Sequence, residues 1–225
     1  MAHGILLLGH RGARNAAPEN TLPAFDLALD HGADGFEFDV RCTRDRKTIL
    51  CHDPKLHRLT LRRRTSKQIA DYCQKVDHET PPCLEEVLER YGRSAFLNLE
   101  VKVRGIETIV ARAVKRARPQ QYFISSFLPG VVRKLHELDR SLVLGALAQT
   151  RWQLRRWKIL PVSYVVPHYR LLTPRLVKSV HAAGRKVVTW TVNDPKQMVR
   201  FAEMGVDAII SDDTRLLVKI LGKQS

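Results

Sequence analysis

Gly35-Phe36-Glu37-Phe38-Asp39-Val40 and Phe96-Leu97-Asn98-Leu99-Glu100-Val101-Lys102 decide the fold, because both read as strands carrying charge where a buried strand has none. Successive side chains of a strand alternate faces, so Glu37 shares a face with Asp39, and Glu100 with Lys102. Phe36, Phe38, Val40, Leu97, Leu99 and Val101 take the opposite faces and are apolar, as packing against helices requires. A buried carboxylate is costly, and several together cost more unless a cation sits among them. If the two strands are neighbours, they build a negative pocket that needs a metal ion, which points to an active site.

Strand-like and helix-like segments alternate along the rest of the chain. Ile5-Leu6-Leu7-Leu8-Gly9 ends in His10-Arg11-Gly12, and Thr48-Ile49-Leu50-Cys51 ends in His52-Asp53-Pro54. The apolar spacing predicts helices over 21–31 (with Asn20 as N-cap), 84–91, 106–116, 130–138, 174–183, 195–204 and 215–221. Further strands are predicted over 122–126, 142–147, 163–166, 186–192 and 207–211. Repeated strand–helix units with apolar strands imply a parallel sheet covered by helices. About eight such units favour an α/β fold of the (β/α)8 TIM-barrel type over an open sheet. The charged residues then fall near the C-terminal ends of strands, where barrels place their chemistry. Gly9-His10-Arg11-Gly12 lacks Gly-x-Gly-x-x-Gly, which sets a dinucleotide-binding sheet aside.

With 225 residues, 44% of them apolar, the chain suits one domain over 1–225, with only a short insertion around 54–82. No apolar run approaches the ~20 residues that span a bilayer. Met1-Ala2-His3-Gly4 leads into strand-like sequence without the features of a secretory signal. Cys42, Cys51, Cys73 and Cys83 show no Cys-x-x-Cys spacing, so reduced thiols in a cytoplasm are expected.

His10-Arg11-Gly12, Pro18-Glu19-Asn20-Thr21, Glu37-x-Asp39, His52-Asp53, Glu100-x-Lys102 and Trp190-Thr191-Val192-Asn193 occur in an order that resembles the glycerophosphodiester phosphodiesterase family. The resemblance runs from His10 to Ser211. It implies hydrolysis of glycerophosphodiesters to sn-glycerol 3-phosphate and an alcohol. It further implies that the glycerol 2-hydroxyl attacks phosphorus, giving a cyclic phosphate that water opens. Two departures stand out. The segment after His52 is short and lacks a Gly-rich stretch, so the cleft should be open; and Asp213-Thr214 stands where a proline is expected after Ser211-Asp212.

Glu37, Asp39 and Glu100 form an all-oxygen ligand set, which suits Mg²⁺ or Ca²⁺ rather than Zn²⁺. His10 and His52 are the candidate acid–base pair, since imidazole titrates near neutrality; which is the acid does not follow from the sequence. Arg11 offers a fork for two phosphate oxygens, or pairs with Glu19 or a strand carboxylate. Lys102 holds phosphate, neutralises Glu100, or does both. Glu19 and Asn20 brace the first loop. Phe127 and Trp190 are candidate walls for the carbon face of glycerol, Trp190 also for a choline cation, with barrel packing as the competing reading. Asn193 presents an amide at the mouth or, as expected, caps the helix beginning at Pro195.

Lysine and arginine outnumber aspartate and glutamate by 38 to 23, a net charge of +15. Such a field draws anions and speeds the arrival of phosphate-bearing substrates. The charge is scattered and no nucleic-acid motif accompanies it, so nucleic acid is not an expected partner. Residues 151–160 interleave Trp152 and Trp157 with arginines, which reads as an amphipathic barrel helix or as a peripheral contact with an anionic membrane. Three functions are therefore in play. The first is metal-dependent hydrolysis of a small-molecule glycerophosphodiester. The second is a lysophospholipase D acting on lysophospholipids at a membrane surface. The third is a non-catalytic barrel binding anionic lipid or nucleic acid, which has no use for His10, His52, Glu37, Asp39 and Glu100 at strand ends.

Overall fold

The computed structural model describes residues 4–222; Met1, Ala2 and His3, on which the expectation about a leader partly rests, lie outside them. The chain begins with β1 (Leu6–His10), α1 (Leu22–Asp30) and β2 (Gly35–Cys42). The run before His52 forms β3 (Thr48–Leu50), which turns back antiparallel on the end of β2, so it lies outside the parallel ring. The insertion holds a hairpin, β4 (Lys55–Leu56) with β5 (Leu59–Thr60), and α2 (Ser66–Lys75), followed by α3 (Leu84–Tyr91). Strand–helix units then run as β6 (Phe96–Val101), α4 (Glu107–Ala117), β7 (Gln121–Ser126), α5 (Pro129–Leu138), β8 (Leu144–Ala148) and the short α6 (Arg151–Arg155). The last are β9 (Tyr164–Pro167), α7 (Pro174–Ala182), β10 (Lys186–Thr189), α8 (Pro195–Glu203), β11 (Ala208–Ser211) and α9 (Thr214–Leu221).

Among the described residues, β1, β2 and β6 through β11 pair in parallel as neighbours, and β1 pairs with both β2 and β11. The sheet thus closes into an eight-stranded barrel with helices outside, the α/β barrel the sequence predicts. Alternation divides the core in two. Leu8, Phe96, Phe123, Leu147, Tyr164, Val166, Val188 and Ile210 fill the barrel interior. The intervening residues, among them Leu7, Phe36, Phe38, Leu97, Leu99, Val165 and Ile209, pack outward under the helices. Phe25 of α1 stacks on Phe36 at 4.2 Å between ring centroids, and Tyr91 meets both rings edge-on. β2 and β6 approach so closely at Gly35 that a Cβ there would sit 1.9 Å from the Phe96 carbonyl oxygen.

The N-cap of α1 is Thr21, not Asn20: its hydroxyl accepts from the Ala24 N–H. Asn20 sits at φ +60 and turns its side chain into the barrel mouth. Thr65 and Gln68 close a capping box at the start of α2, which buries only Ile69 and Cys73.

Candidate active site

Register brings the charged strand residues together. His10 on β1 lies beside Glu37 on β2, and Asp39 lies beside Glu100 on β6. One oxygen from each of Glu37, Asp39 and Glu100 falls within 4.8 Å of the others, and all three residues are buried. Lys102 Nζ is 2.7 Å from Glu100 Oε1 and 3.1 Å from Asp39 Oδ1. Arg11 Nε is 3.1 Å from Asp39 Oδ2, while its Nη1 donates to both oxygens of Glu19 at 2.8 and 2.9 Å. The Arg11 fork is therefore held by carboxylates, and Lys102 neutralises Glu100 and Asp39 together. Asn20 donates to Asp39 Oδ2 at 2.9 Å and accepts from the Asp39 N–H at 3.0 Å. The backbone N–H of Arg11 donates to Glu37 Oε2 at 3.0 Å. That reach depends on a left-handed turn at Arg11 (φ +54) and Gly12 (φ +83), where a Cβ on Gly12 would come within 2.6 Å of the Ala24 backbone.

Three carboxylates face two cations, and the pocket is short of positive charge. Burial pushes Glu37 well above the usual carboxylate range, and the charges of Asp39 and Glu100 push it further. Burial also lifts Glu100, to about 7, against the pull of Lys102. Burial works on Asp39 too, but Lys102, Arg11 and the Asn20 hydrogen bond outweigh it and hold it below its ordinary value. Asp39 Oδ1 is buried without a hydrogen bond, because Lys102 Nζ approaches it out of line. An orphaned acceptor within a buried all-oxygen set fits a hard divalent cation.

His10 is tied from behind. Its Nδ1 is 2.6 Å from Asp212 Oδ1, and its Nε2 is 3.9 Å from Glu37 Oε2. Asp212 Oδ2 accepts from Asn193 Nδ2 at 2.6 Å, and Asn193 Oδ1 accepts from the Asp212 N–H and the Ser211 hydroxyl, both at 3.0 Å. A carboxylate on Nδ1 holds the proton there and turns Nε2 toward the acidic cluster as the exchanging nitrogen. Burial lowers the His10 pKa, and Asp212 opposes that fall. Asn193 is thus a brace for Asp212; the cap of α8 is Asp194, which accepts from the Gln197 N–H. Asp213, where a proline is expected, caps α9 by accepting from the Leu216 N–H. Asp212 itself goes unassigned in the sequence reading, although it ends Ile209-Ile210-Ser211-Asp212 just as His10 ends β1.

His52 follows β3, with Nδ1 2.9 Å from Asp53 Oδ1 and its side chain 36% exposed. Burial and the nearby Lys102 lower its pKa. Its segment is clamped by Arg41 of β2, whose Nε and Nη2 donate to the His52 carbonyl at 2.9 and 2.6 Å. Alternation puts Arg41 on the face of Glu37 and Asp39, a signal the sequence carries.

Phe127 and Trp190 meet edge-to-face at 5.6 Å on the rim, both half-buried over the interior cluster. Trp190 Nε1 donates to the Val166 carbonyl at 3.1 Å, and His168, a third ring unmarked in the sequence reading, packs edge-on against its indole. Trp157 is 6% exposed with Arg185 over its ring, so it belongs to the core. Trp152 alone of the 151–160 tryptophans faces solvent.

A profile of the glycerophosphoryl diester phosphodiesterase family matches residues 10–216. The chain is 31% identical to a glycerophosphodiester phosphodiesterase of Caldanaerobacter subterraneus subsp. tengcongensis, over 97% of this chain and 98% of that protein. It superposes on the glycerophosphodiester phosphodiesterase of Thermotoga maritima with a TM-score of 0.83 at 27% identity, covering 97% of this chain and 99% of the other. An Oleispira antarctica phosphodiesterase, solved with the product sn-glycerol-3-phosphate, superposes with a TM-score of 0.83 at 26% identity over 97% of each chain.

Proposed function

The chain belongs to the glycerophosphoryl diester phosphodiesterase family and is a hydrolase of glycerophosphodiesters, and we propose that Glu37, Asp39 and Glu100 hold Mg²⁺ or Ca²⁺ for that reaction. The observation that carries the reading is the buried, charge-deficient oxygen cluster with His10 turned toward it. The ion, when bound, supplies a Lewis acid for a phosphate oxygen. His10 exchanges a proton at Nε2, its Nδ1 being committed to Asp212, and His52 makes the complementary transfer, the two exchanging roles between ring closure and hydrolysis. Lys102 and Arg11 set the charge around the phosphate and hold the Asp39 carboxylate in place within the ligand set. Phe127 and Trp190 cover the carbon face of glycerol, and the indole suits a choline head group. We place this chemistry in one barrel domain in the cytoplasm; four cysteines without disulfide spacing support a reducing setting. The described residues include no helix long and apolar enough to cross a membrane.

A second reading, release of choline from a lysophospholipid, is favoured by the exposed Trp152 on the segment beyond Phe127. The test is turnover of glycerophosphocholine by purified protein with EDTA, then with Mg²⁺ or Ca²⁺, beside lysophosphatidylcholine at equal concentration. Restoration by the ion is the expected result. Turnover that survives full chelation refutes the metal site, and a strong preference for the soluble diester ends the second reading.

A further inference from the structure

Between Asp139 and Asp194 the sequence contains ten lysines and arginines and no aspartate or glutamate. This acid-free stretch is one sector of the barrel, from β8 through α7 to β10. Its α6 leaves the C-terminal end of β8, the face that also carries His10 and the acidic cluster, and Arg156 reaches the Phe127 carbonyl on the rim. Trp152 and Ile159 are 67% and 73% exposed, the most exposed large apolar side chains of the described residues. They flank a surface groove of about 390 Å³ whose other walls include Pro129, Arg133, Arg155 and Arg156. On the far side of α6 a second groove of about 470 Å³ is walled by Arg151, Lys158, Arg170 and Arg175. No carboxylate lines either groove, and the ion pairs of the described residues all lie elsewhere.

A ring of cations without carboxylate partners around exposed apolar side chains, Trp152 among them with Arg156 stacked 3.8 Å over its ring, has the chemistry of a membrane-surface anchor. Arginines meet lipid phosphates, an indole sits at head-group level, and an aliphatic tip enters the acyl boundary. Nucleic acid would satisfy the arginines but leave Ile159 in water. Trp157, buried beneath the segment and covered by Arg185, gives the anchor a rigid base. We propose that this acid-free sector docks on an anionic phospholipid bilayer and turns the barrel mouth toward the membrane. The docking does not depend on the chemistry of the acidic cluster.

The test is co-sedimentation of the full chain with vesicles of phosphatidylcholine, alone and mixed with phosphatidylglycerol. Binding is expected only to the mixed vesicles and should weaken with salt. Arg151→Glu with Arg155→Glu should lower the partition coefficient about tenfold or more. Trp152→Ser with Ile159→Ser should also lower it about tenfold or more, because it removes the inserting surface without touching charge. Both pairs should turn over soluble glycerophosphocholine like wild type, which also shows that they fold. Equal binding to pure phosphatidylcholine, wild-type binding by the Trp152→Ser/Ile159→Ser pair, or tighter binding to a DNA duplex than to mixed vesicles would each overturn the proposal. Intact vesicle binding without turnover would support the docking while sinking the catalytic reading.

Discussion

Replacing Glu100 with glutamine should flatten the pH dependence of stability in metal-free protein. Glu100 is buried, and its carboxyl is raised from 4.5 to about 7 in the folded state, so the native protein holds a proton that the unfolded chain has released. A raised folded-state pKa contributes stability that is fully present below 4.5 and is lost as pH climbs through 7. At 1.36 kcal/mol per pKa unit, the loss attributable to Glu100 between pH 5 and pH 8 is about 2–3 kcal/mol. The assay is urea unfolding of wild type and Glu100→Gln in EDTA at both pH values. Lys102 keeps Asp39 as its partner in the variant, and the loss of its Glu100 contact enters at each pH and largely cancels in the double difference. Glu37 loses the push of the Glu100 charge, so its own slope shrinks in the variant and adds to the flattening. Excess Mg²⁺ or Ca²⁺ should shrink or reverse the wild-type slope, since a ligand of the folded, ionised cluster stabilises by RT ln(1 + [L]/Kd). Identical pH slopes in EDTA for the two proteins would refute the reasoning: Glu100 would then ionise like a solvated carboxylate, and the pocket would not be short of positive charge.

Other outcomes follow from the same geometry. His10→Ala and His52→Ala should each slow metal-supported release of sn-glycerol 3-phosphate by about 10²–10⁴-fold, with melting temperatures near wild type. Asp212→Asn keeps the shape behind His10 but loses the charge on Nδ1; kcat should fall by a factor on the order of 10² or more with KM little changed, and an unchanged kcat would remove Asp212 from the site. Glu37→Ala should abolish the metal-induced rise in melting temperature; a rise equal to wild type would show that Glu37 is not a ligand. Phe25→Ala, by emptying a fully buried ring site, should cost about 3–5 kcal/mol in chemical denaturation with no effect on metal response.

The strands that hold the acidic cluster are legible because their period of two is written locally, and their pairing follows from a barrel of ordinary strand–helix units. What the sequence hides is whatever depends on partners far along the chain. Asp212 gains its role from a histidine 202 positions away, and nothing near Ser211 announces that contact. Arg41 sits visibly on the charged face, but its partners are the carbonyls of Cys51 and His52, which arrive only through the antiparallel return of β3. The helix α2 escapes an apolar-period reading because just two of its side chains are buried, although Thr65 and Gln68 mark its start. Trp152 and Trp157 look alike in sequence. Five positions around a turn separate an exposed indole from a buried one.

The pairing of β1 with β11 gives the ring a seam between its first and last strands. His10 and Asp212 lie on opposite sides of it. A chain emerging from the ribosome therefore carries His10 through nearly all of synthesis without the residue that orients it, since contacts so distant in sequence form only after long loop closure. Glu37, Asp39 and Glu100, on the neighbouring strands β2 and β6, are all present before the chain is half made. The seam ties ring closure to the site: a chain ending before β11 would keep its three acidic residues but have neither the strand that closes the ring nor the carboxylate behind its imidazole.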